Sequence, residues 1–290
     1  MQIIPKTYPL NQSPLYRLTS HRKLVPLLGL EAPKLKALLH RPDLYTEFEV
    51  LKKNGGKRLV ENPKRELKIV QKRLARILGK ISPPDYLFCP VKGRSYVTNA
   101  ACHRHNRVVR CLDIRKYFPS TPSHRVYWFF SVVMKCEPDL ANTLTKISTY
   151  SGHLPTGSPL SPIMAFFAYY NVWQAIAVIA KLHGLTLTVY IDDVTISGPT
   201  VSAAVLWEIK KAIHAVGLRY HKEKCYIDSH AEITGVIVRD GTLLAPNRQL
   251  LKLHKANQEF SNPKSFTSRQ KLAGKIAGLS GQLDQIRSAK

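Results

Sequence analysis

Acid is what this chain is short of. Its 290 residues hold 19 Asp and Glu against 44 Lys and Arg, a formal charge of +25. Between Asp85 and Asp113 there is no acidic residue at all. That balance points to a polyanionic partner, most simply nucleic acid, over a basic surface that is merely solvated. Cysteine is sparse too. Cys89, Cys102, Cys111, Cys136 and Cys225 are odd in number and show no paired spacing. A disulfide framework is thereby excluded, and free thiols in a reducing, cytoplasmic setting are expected. Cys102-His-Arg-His105 lacks a Cys-x-x-Cys partner, which argues against zinc. Met1-Gln-Ile-Ile-Pro-Lys6 lacks the charged region and apolar run of a secretory signal. Long apolar runs are missing with one exception, the uncharged stretch from Ile163 to Ala180. It approaches a membrane span in length. Opened by Pro159 and Pro162, closed by Gly184 and leading into an acidic turn, it is expected to be a buried core helix, with no membrane partner. No internal repeat or low-complexity stretch stands out.

The positive charge that is present is concentrated. Residues 51–80 hold 11 Lys and Arg against 2 Glu, and residues 246–290 hold 9 against 2 acids. Leu24, Leu27 and Leu28, then Leu35, Leu38 and Leu39, recur at helical spacing. Lys52-Lys-Asn-Gly-Gly56 reads as a hairpin tip, and Asn62-Pro63 as a helix start. The helix expected after it carries Leu67, Val70, Leu74, Ile77 and Ile81 on one face and lysines and arginines elsewhere. Val108 to Leu112 reads as a strand ending at Asp113, and Thr121-Pro122 as a further helix start. Strands are expected at Leu218–Ile227 and Glu232–Val238, with a turn at Asp240-Gly241. Leu272, Ile276, Leu279, Leu283 and Ile286 form a narrow seam on a last helix.

Tyr190-Ile191-Asp192-Asp193 is the most informative stretch. It lies between Leu185–Val189 and Val194–Ser197, two runs in which apolar and polar residues alternate as in half-buried strands. Asp is a common turn residue, so the pair alone also fits an ordinary hairpin tip. Two adjacent buried carboxylates need cationic compensation, usually a divalent metal. Asp113, at the end of its own strand, supplies a third carboxylate if strand and hairpin are neighbours in one sheet. Such a cluster suits two Mg²⁺ ions about 3.5–4 Å apart and an in-line displacement at phosphorus. With the basic charge, phosphoryl transfer on nucleic acid becomes the leading chemistry.

At this point the chain resembles a reverse transcriptase, and within that group the retron reverse transcriptases of bacteria. Leu112-Asp-Ile-Arg-Lys-Tyr-Phe-Pro-Ser120 resembles the first catalytic motif of the palm. Leu154-Pro-Thr-Gly-Ser-Pro-Leu-Ser-Pro162 resembles the nucleotide-contacting loop, and Tyr190-Ile-Asp-Asp193 the signature hairpin. Gly217 to Cys225 resembles the motif that ends in a lysine, here Lys224. Gly56 to Lys68 is similar to the fingers segment. Asn99-Ala-Ala-Cys-His103 and Ile233-Thr-Gly235 are similar to two retron patterns, with Ile replacing Val in the second.

The resemblance implies an α+β right hand: fingers over residues 1–105, a palm with an antiparallel sheet over 106–240, and a short, basic, helical thumb over 241–290. It implies that Asp113 and Asp192 hold two Mg²⁺ ions, with Asp193 beside them and the Ile114 carbonyl as a further ligand. Backbone amides just after Asp113 are expected to cradle the triphosphate. Arg58, with Lys57, is expected to pair with its oxygens. Phe118 would lie under the sugar and select deoxynucleotide triphosphates. Thr156, Gly157 and Pro159 belong to the nucleotide loop. Many reverse transcriptases carry Gln where this chain has Thr156, so what the family does at that position does not carry over. Lys224 would donate a proton or charge to the leaving pyrophosphate. Asn99, His103 and Tyr190 are expected to contact nucleic acid. Lys252, Lys255, Arg269, Lys271 and Lys275 are expected to grip it through phosphates.

The stretch after the last strands leaves room for a small thumb, so an RNase H domain is not expected, and a host RNase H would remove the template. The retron resemblance further implies a cognate non-coding RNA primed from a 2′-hydroxyl. It also implies a branched RNA–DNA product and an antiphage role with a co-encoded effector. Three other readings stand beside it. One is a diversity-generating or abortive-infection reverse transcriptase, against which Asn99–His103 argues. Another is a catalytically silent RNA- or DNA-binding scaffold, against which the three aspartates argue. The last is RNA-templated RNA synthesis, which Phe118 disfavours.

Overall fold

The structure, a computed structural model, describes residues 7–51, 55–261 and 265–289. The expected tip at Lys52–Asn54 and the segment Met1–Lys6 lie outside the described residues. Two short helices, α1 (His21–Leu28) and α2 (Ala32–His40), bury Leu24, Leu28, Leu35 and Leu38, as their leucine spacing requires. Strands β1 (Tyr45–Leu51) and β2 (Lys57–Pro63) pair antiparallel into a hairpin whose outer part is exposed. Helix α3 (Arg65–Leu78) buries Leu67, Val70, Gln71, Leu74 and Leu78. It does not begin at Asn62-Pro63, which are the last residues of β2. A residue before proline disfavours the α region, so Asn62 stays extended opposite Thr46 and takes the Lys68 ammonium at 2.9 Å.

A five-stranded sheet forms the centre, in the order β3-β5-β6-β4-β7. Its strands are β3 (Leu87–Cys89), β4 (Val108–Ile114), β5 (Thr186–Tyr190), β6 (Asp193–Gly198) and β7 (Tyr220–Ile227). The sheet is not purely antiparallel, since β3 joins β5 in parallel. Period-2 alternation gives it two unlike faces. Val108, Leu112, Ile114, Leu187, Val189, Val194 and Ile196 face the main core. The register puts Asp113, Asp193 and Lys222 in one cross-strand row on the opposite face, then Cys111, Thr195, Thr188 and Lys224 in the next. Both β5 and β6 are buried on both faces rather than half-buried, because their Thr and Ser side is covered as well.

The cover on that side is α4 (Tyr96–Ala101) and a three-stranded sheet of β8 (Ala231–Ile233), β9 (Val236–Arg239) and β10 (Thr242–Leu244). The single strand expected over Glu232–Val238 is broken. Thr234 and Gly235 both take positive φ, 46° and 88°, and make the two-residue turn of the β8–β9 hairpin. The turn at Asp240-Gly241 closes β9 onto β10.

The main core is helical. Helices α5 (Ser123–Trp128) and α6 (Pro138–Ser148) precede α7 (Ser161–Ala168) and α8 (Tyr170–Leu182), and α9 (Ala203–Ala215) packs on α8. Thr121 does not cap α5, because its hydroxyl donates to the Tyr117 carbonyl. The apolar run expected as one helix is two, bent by 67°. At the bend the Arg125 guanidinium donates to the Ala168 carbonyl at 3.0 Å, in the place of the Val172 N–H of a continuous helix, and to Asn171 Oδ1 at 2.7 Å. No single described helix is long and apolar enough to cross a membrane, though this bent pair passes the test by length and composition. Its residues are largely buried, Tyr169 and Trp173 completely. Helices α10 (Asn247–Ser261) and α11 (Phe266–Ser288) pack on each other, and Leu283 and Ile286 on the expected seam of α11 are buried.

Candidate active site

The β5–β6 turn brings the acidic pair to the edge of the sheet. Ile191 takes the first turn position at φ 58°, a left-handed value that is strained for a β-branched residue. The Ile114 N–H donates to the Asp192 carbonyl at 2.8 Å, fastening the turn to the end of β4. Asp193 stands opposite Asp113 in the ladder. Directly opposed side chains in antiparallel strands have Cβ atoms about 4.5–5.5 Å apart. Two carboxylates are therefore neighbours on one face, with the third on the turn beside them.

Their electrostatics show a shortage of positive charge. Burial, then the Asp192 and Asp113 carboxylates, push the Asp193 carboxyl up to about 6, against the pull of Lys224. Burial and Asp113 raise Asp192 as well, opposed by Arg58 and His221. Hard oxygen donors held at a surplus of negative charge fit a divalent cation. Among the described residues no three His, Cys, Asp or Glu side chains gather into a ligand set of their own. An ion here would complete its shell with backbone, water or substrate oxygens, as Mg²⁺ readily does.

A cleft of about 270 Å³ opens beside Asp113 and Asp193, and Tyr190, Lys222, Lys224 and Thr234 also line it. Arg58 of β2 acts on Asp192 from the hairpin side. Lys57 is engaged elsewhere, with Glu49 at 2.6 Å. Phe118 packs half-buried beside Tyr117, ring centres 6.0 Å apart. The N–H groups of Ile114 and Arg115 are spent on the Asp192 and Arg219 carbonyls, so an amide cradle after Asp113 starts no earlier than Lys116. Thr156 is stitched to β2: its hydroxyl donates to the Leu59 carbonyl and accepts from the Glu61 N–H. Gly157 follows it closely, since a Cβ there would meet the Glu61 carbonyl oxygen at 2.6 Å. Pro159 is partly exposed in the same loop.

Two expected contacts are corrected. Asn99 and His103 do not face nucleic acid; they are 1% and 0% exposed. His103 lies between Ser197 Oγ at 2.6 Å and Thr188 Oγ1 at 2.7 Å, behind the acidic hairpin. Burial lowers its pKa to about 3, so the ring is neutral. Asn99 donates to Thr234 Oγ1 at 3.2 Å, and Thr234 donates to the Tyr96 carbonyl. The two stretches that resemble retron patterns, 135 residues apart, thus meet at one side-chain contact beside the cleft. Lys252, Lys255, Arg269, Lys271 and Lys275 are exposed on α10 and α11 and do not line the cleft. Arg248 pairs with Glu232, and Gln249 donates to the Gly235 carbonyl, so α10 is tied to the turn at the cleft wall.

Sequence reasoning missed His221. A register shift after Asp113 leaves it as the extra residue of β7, and its Nδ1 lies 3.4 Å from Asp113 Oδ1. Nothing in the local pattern marks a bulge. It also missed Glu61, whose partners lie more than ninety positions away.

Comparison with known proteins agrees with this geometry. Residues 50–238 match the family described as reverse transcriptase (RNA-dependent DNA polymerase). The chain is 30% identical over 258 residues to the Retron Se72 reverse transcriptase of Salmonella heidelberg (strain 579083-10), covering 83% of this chain and 67% of that protein. It is 33% identical to the Retron Mx65 reverse transcriptase of Myxococcus xanthus, over 70% of this chain and 51% of the relative. To the Retron Ec86 reverse transcriptase of Escherichia coli it is 29% identical, over 70% and 66%. The chain spans between about half and two thirds of the length of these relatives. The foamy viral protease-reverse transcriptase in complex with double-stranded DNA overlaps 97% of this chain and 42% of its own, at 14% identity and a TM-score of 0.46, too distant a likeness to carry weight. By the family match and the similarity to the Se72 protein, the chain belongs to the reverse transcriptases, and among them to the retron type.

Proposed function

We propose that the protein is an RNA-directed DNA polymerase that copies part of a cognate non-coding RNA into DNA. The observation that carries this reading is the row of Asp113 and Asp193 with Asp192 at its edge, faced by Arg58 from one side and Lys224 from the other. Asp113 and Asp192 would hold two Mg²⁺ ions, with Asp193 beside them and the Ile114 carbonyl as a further ligand. Bound Mg²⁺ supplies activation of the attacking hydroxyl and neutralises the phosphates. Arg58 pairs with triphosphate oxygens, and Lys57 joins it on release from Glu49. The primer hydroxyl loses its proton to solvent as its oxygen bonds the α-phosphorus, while the bond to pyrophosphate breaks in line. Lys224 supplies the proton or positive charge that the leaving pyrophosphate needs. Phe118 crowds a 2′-hydroxyl and favours deoxynucleotides, and Tyr190 contacts the nucleic acid at the cleft.

Residues 1–105 serve as fingers, 106–240 as palm and 241–290 as thumb, with β3 of the first segment paired to β5 as an edge strand of the palm sheet and α4 packed on its face. The basic residues of α10 and α11 hold the nucleic acid through phosphates, in a salt-dependent manner. By the retron resemblance we infer priming from an RNA 2′-hydroxyl, a branched RNA–DNA product and an antiphage role with a co-encoded effector in the cytoplasm. A host RNase H removes the copied template.

The test is the nucleic acid that copurifies from cells expressing the protein with its upstream locus. DNA whose mobility shifts on treatment with a 2′,5′-debranching enzyme, and which is absent with Asp192→Asn, is expected. Unbranched DNA would keep the polymerase and remove the retron priming. RNA alone, with no deoxynucleotide incorporation on added Mg²⁺, would remove the polymerase.

A further inference from the structure

The outer part of the β1–β2 hairpin is exposed, yet it carries Arg58, whose charge acts on Asp192. Something must fix the angle at which so bare a hairpin stands. Its root is held by Glu61, which is 4% exposed. Glu61 Oε1 meets His153 Nε2 at 2.8 Å, and Oε2 accepts from the Thr156 N–H at 3.2 Å. The other ring nitrogen of His153 faces the Ser151 carbonyl at 3.1 Å, which fixes the ring between the two oxygens. The backbone repeats the connection. The Glu61 N–H donates to Thr156 Oγ1, the Gly157 N–H donates to the Glu61 carbonyl, and the Thr156 hydroxyl donates to the Leu59 carbonyl. Each end of Glu61 therefore grips the 153–157 loop, and Gly157 admits the approach.

We infer that Glu61 is a positioning residue for the incoming nucleoside triphosphate, acting through Arg58. This rests on the polymerase reading above. Arg58 stands three residues from Glu61, about 10 Å along a strand. A tilt of about 10° at the root would move it by roughly 2 Å, enough to take a charge-assisted contact to the triphosphate out of hydrogen-bond range and weaken binding of substrate and transition state alike. Thr156 fits the same account. With its hydroxyl used as both donor and acceptor toward β2, it serves the latch and not the substrate.

The full chain is tested on poly(rA)/oligo(dT) with dTTP and Mg²⁺, and dTTP binding is measured separately by equilibrium dialysis with Ca²⁺. Glu61→Gln, which keeps an acceptor for Thr156 but not the charge toward His153, is expected to raise the KM for dTTP by about five- to tenfold with kcat within about twofold. Arg58→Ala raises KM on its own. In the double variant the two effects do not multiply, because Glu61 acts through Arg58. Thr156→Val, which removes the hydroxyl bridge and retains bulk, gives a smaller change in the same direction and serves if Glu61→Gln does not fold. Multiplying effects, or an unchanged KM in Glu61→Gln and Thr156→Val, would overturn the inference while leaving the polymerase intact. A wild-type protein that neither binds nor incorporates dTTP would overturn both.

Discussion

The polar face of the central sheet has two ends, and they solve opposite problems. At one end Thr188, Ser197, His103 and Asn106 saturate one another, with His103 bridging both hydroxyls and Asn106 donating to Ser197 at 2.7 Å. At the other end Asp113 and Asp193 face each other across the same strands, with only partial relief from Lys224 and His221. Buried polar groups are costly unless paired, so the closed end stabilises the fold and the open end strains it. The strands are continuous from one end to the other. The difference lies in what covers them: α4 over the closed end, a cleft over the open one. A sheet whose Thr and Ser side is paired internally while its acidic edge opens on a cleft reserves that edge for a ligand.

Breaking the open end should have the largest effect on activity. Asp113→Asn is expected to lower deoxynucleotide incorporation by on the order of 1000-fold with the thermal midpoint unchanged or higher. Comparable activity in primer extension would remove Asp113 from the machinery. Breaking the closed end should act on stability. His103→Ala leaves Thr188 and Ser197 without their bridge and opens a cavity, at a cost of about 3–4 kcal/mol in urea unfolding. A loss below about 1 kcal/mol would mean that the network contributes little.

Acid should attack the same end more gently. The His103 ring stays neutral in the fold because burial holds it near 3, whereas the unfolded chain takes up a proton below the ordinary 6.5. The unfolded state then binds more protons, so stability falls as pH drops from 6.5 toward 3. The expected loss is about 2 kcal/mol by pH 5. His103→Gln should flatten that part of the stability–pH curve, and a curve of unchanged slope would contradict the assignment.

The smallest effect sharpens the comparison from the other side. Asp193 is raised to about 6, so its contribution to stability is present at acid pH and lost as pH rises through that value. At pH 7.5 with chelator, Asp193→Asn should gain about 1 kcal/mol, a figure discounted for partial exposure. Mg²⁺ should narrow the gap between variant and wild type. A destabilised variant would show that the open end is not strained.

Much of this was legible. Alternation over residues 185–197 and the doublet at Asp192-Asp193 gave the hairpin, and Asp113 at a strand end gave its partner. What escaped were interactions with no local signature. Arg125 occupies the Ala168 carbonyl at the bend of the apolar run from more than forty residues away. His221 is brought to Asp113 by a one-residue bulge. His103 and Asn99 carry polar side chains in a basic stretch, where the natural expectation is contact with nucleic acid. Only the covering of the Thr and Ser side of β5 and β6 shows that their partners are internal. Asn62-Pro63 has the composition of a helix start, but its pairing with β1 overrides that preference.

The bent pair α7 and α8 has a consequence for how the protein is made. Part of the apolar surface of α8 is synthesised before β5 and α9, against which it comes to rest. Ribosomes add about 5–20 residues per second, so the stretch from the end of α8 to the end of α9 takes roughly 2–7 s to appear. Throughout that interval the side of α8 that β5 and α9 later cover stays open, while α7 already has α3 and α5 to pack on. Yield in cells should therefore depend on translation speed and holdase capacity, independently of how stable the finished molecule is.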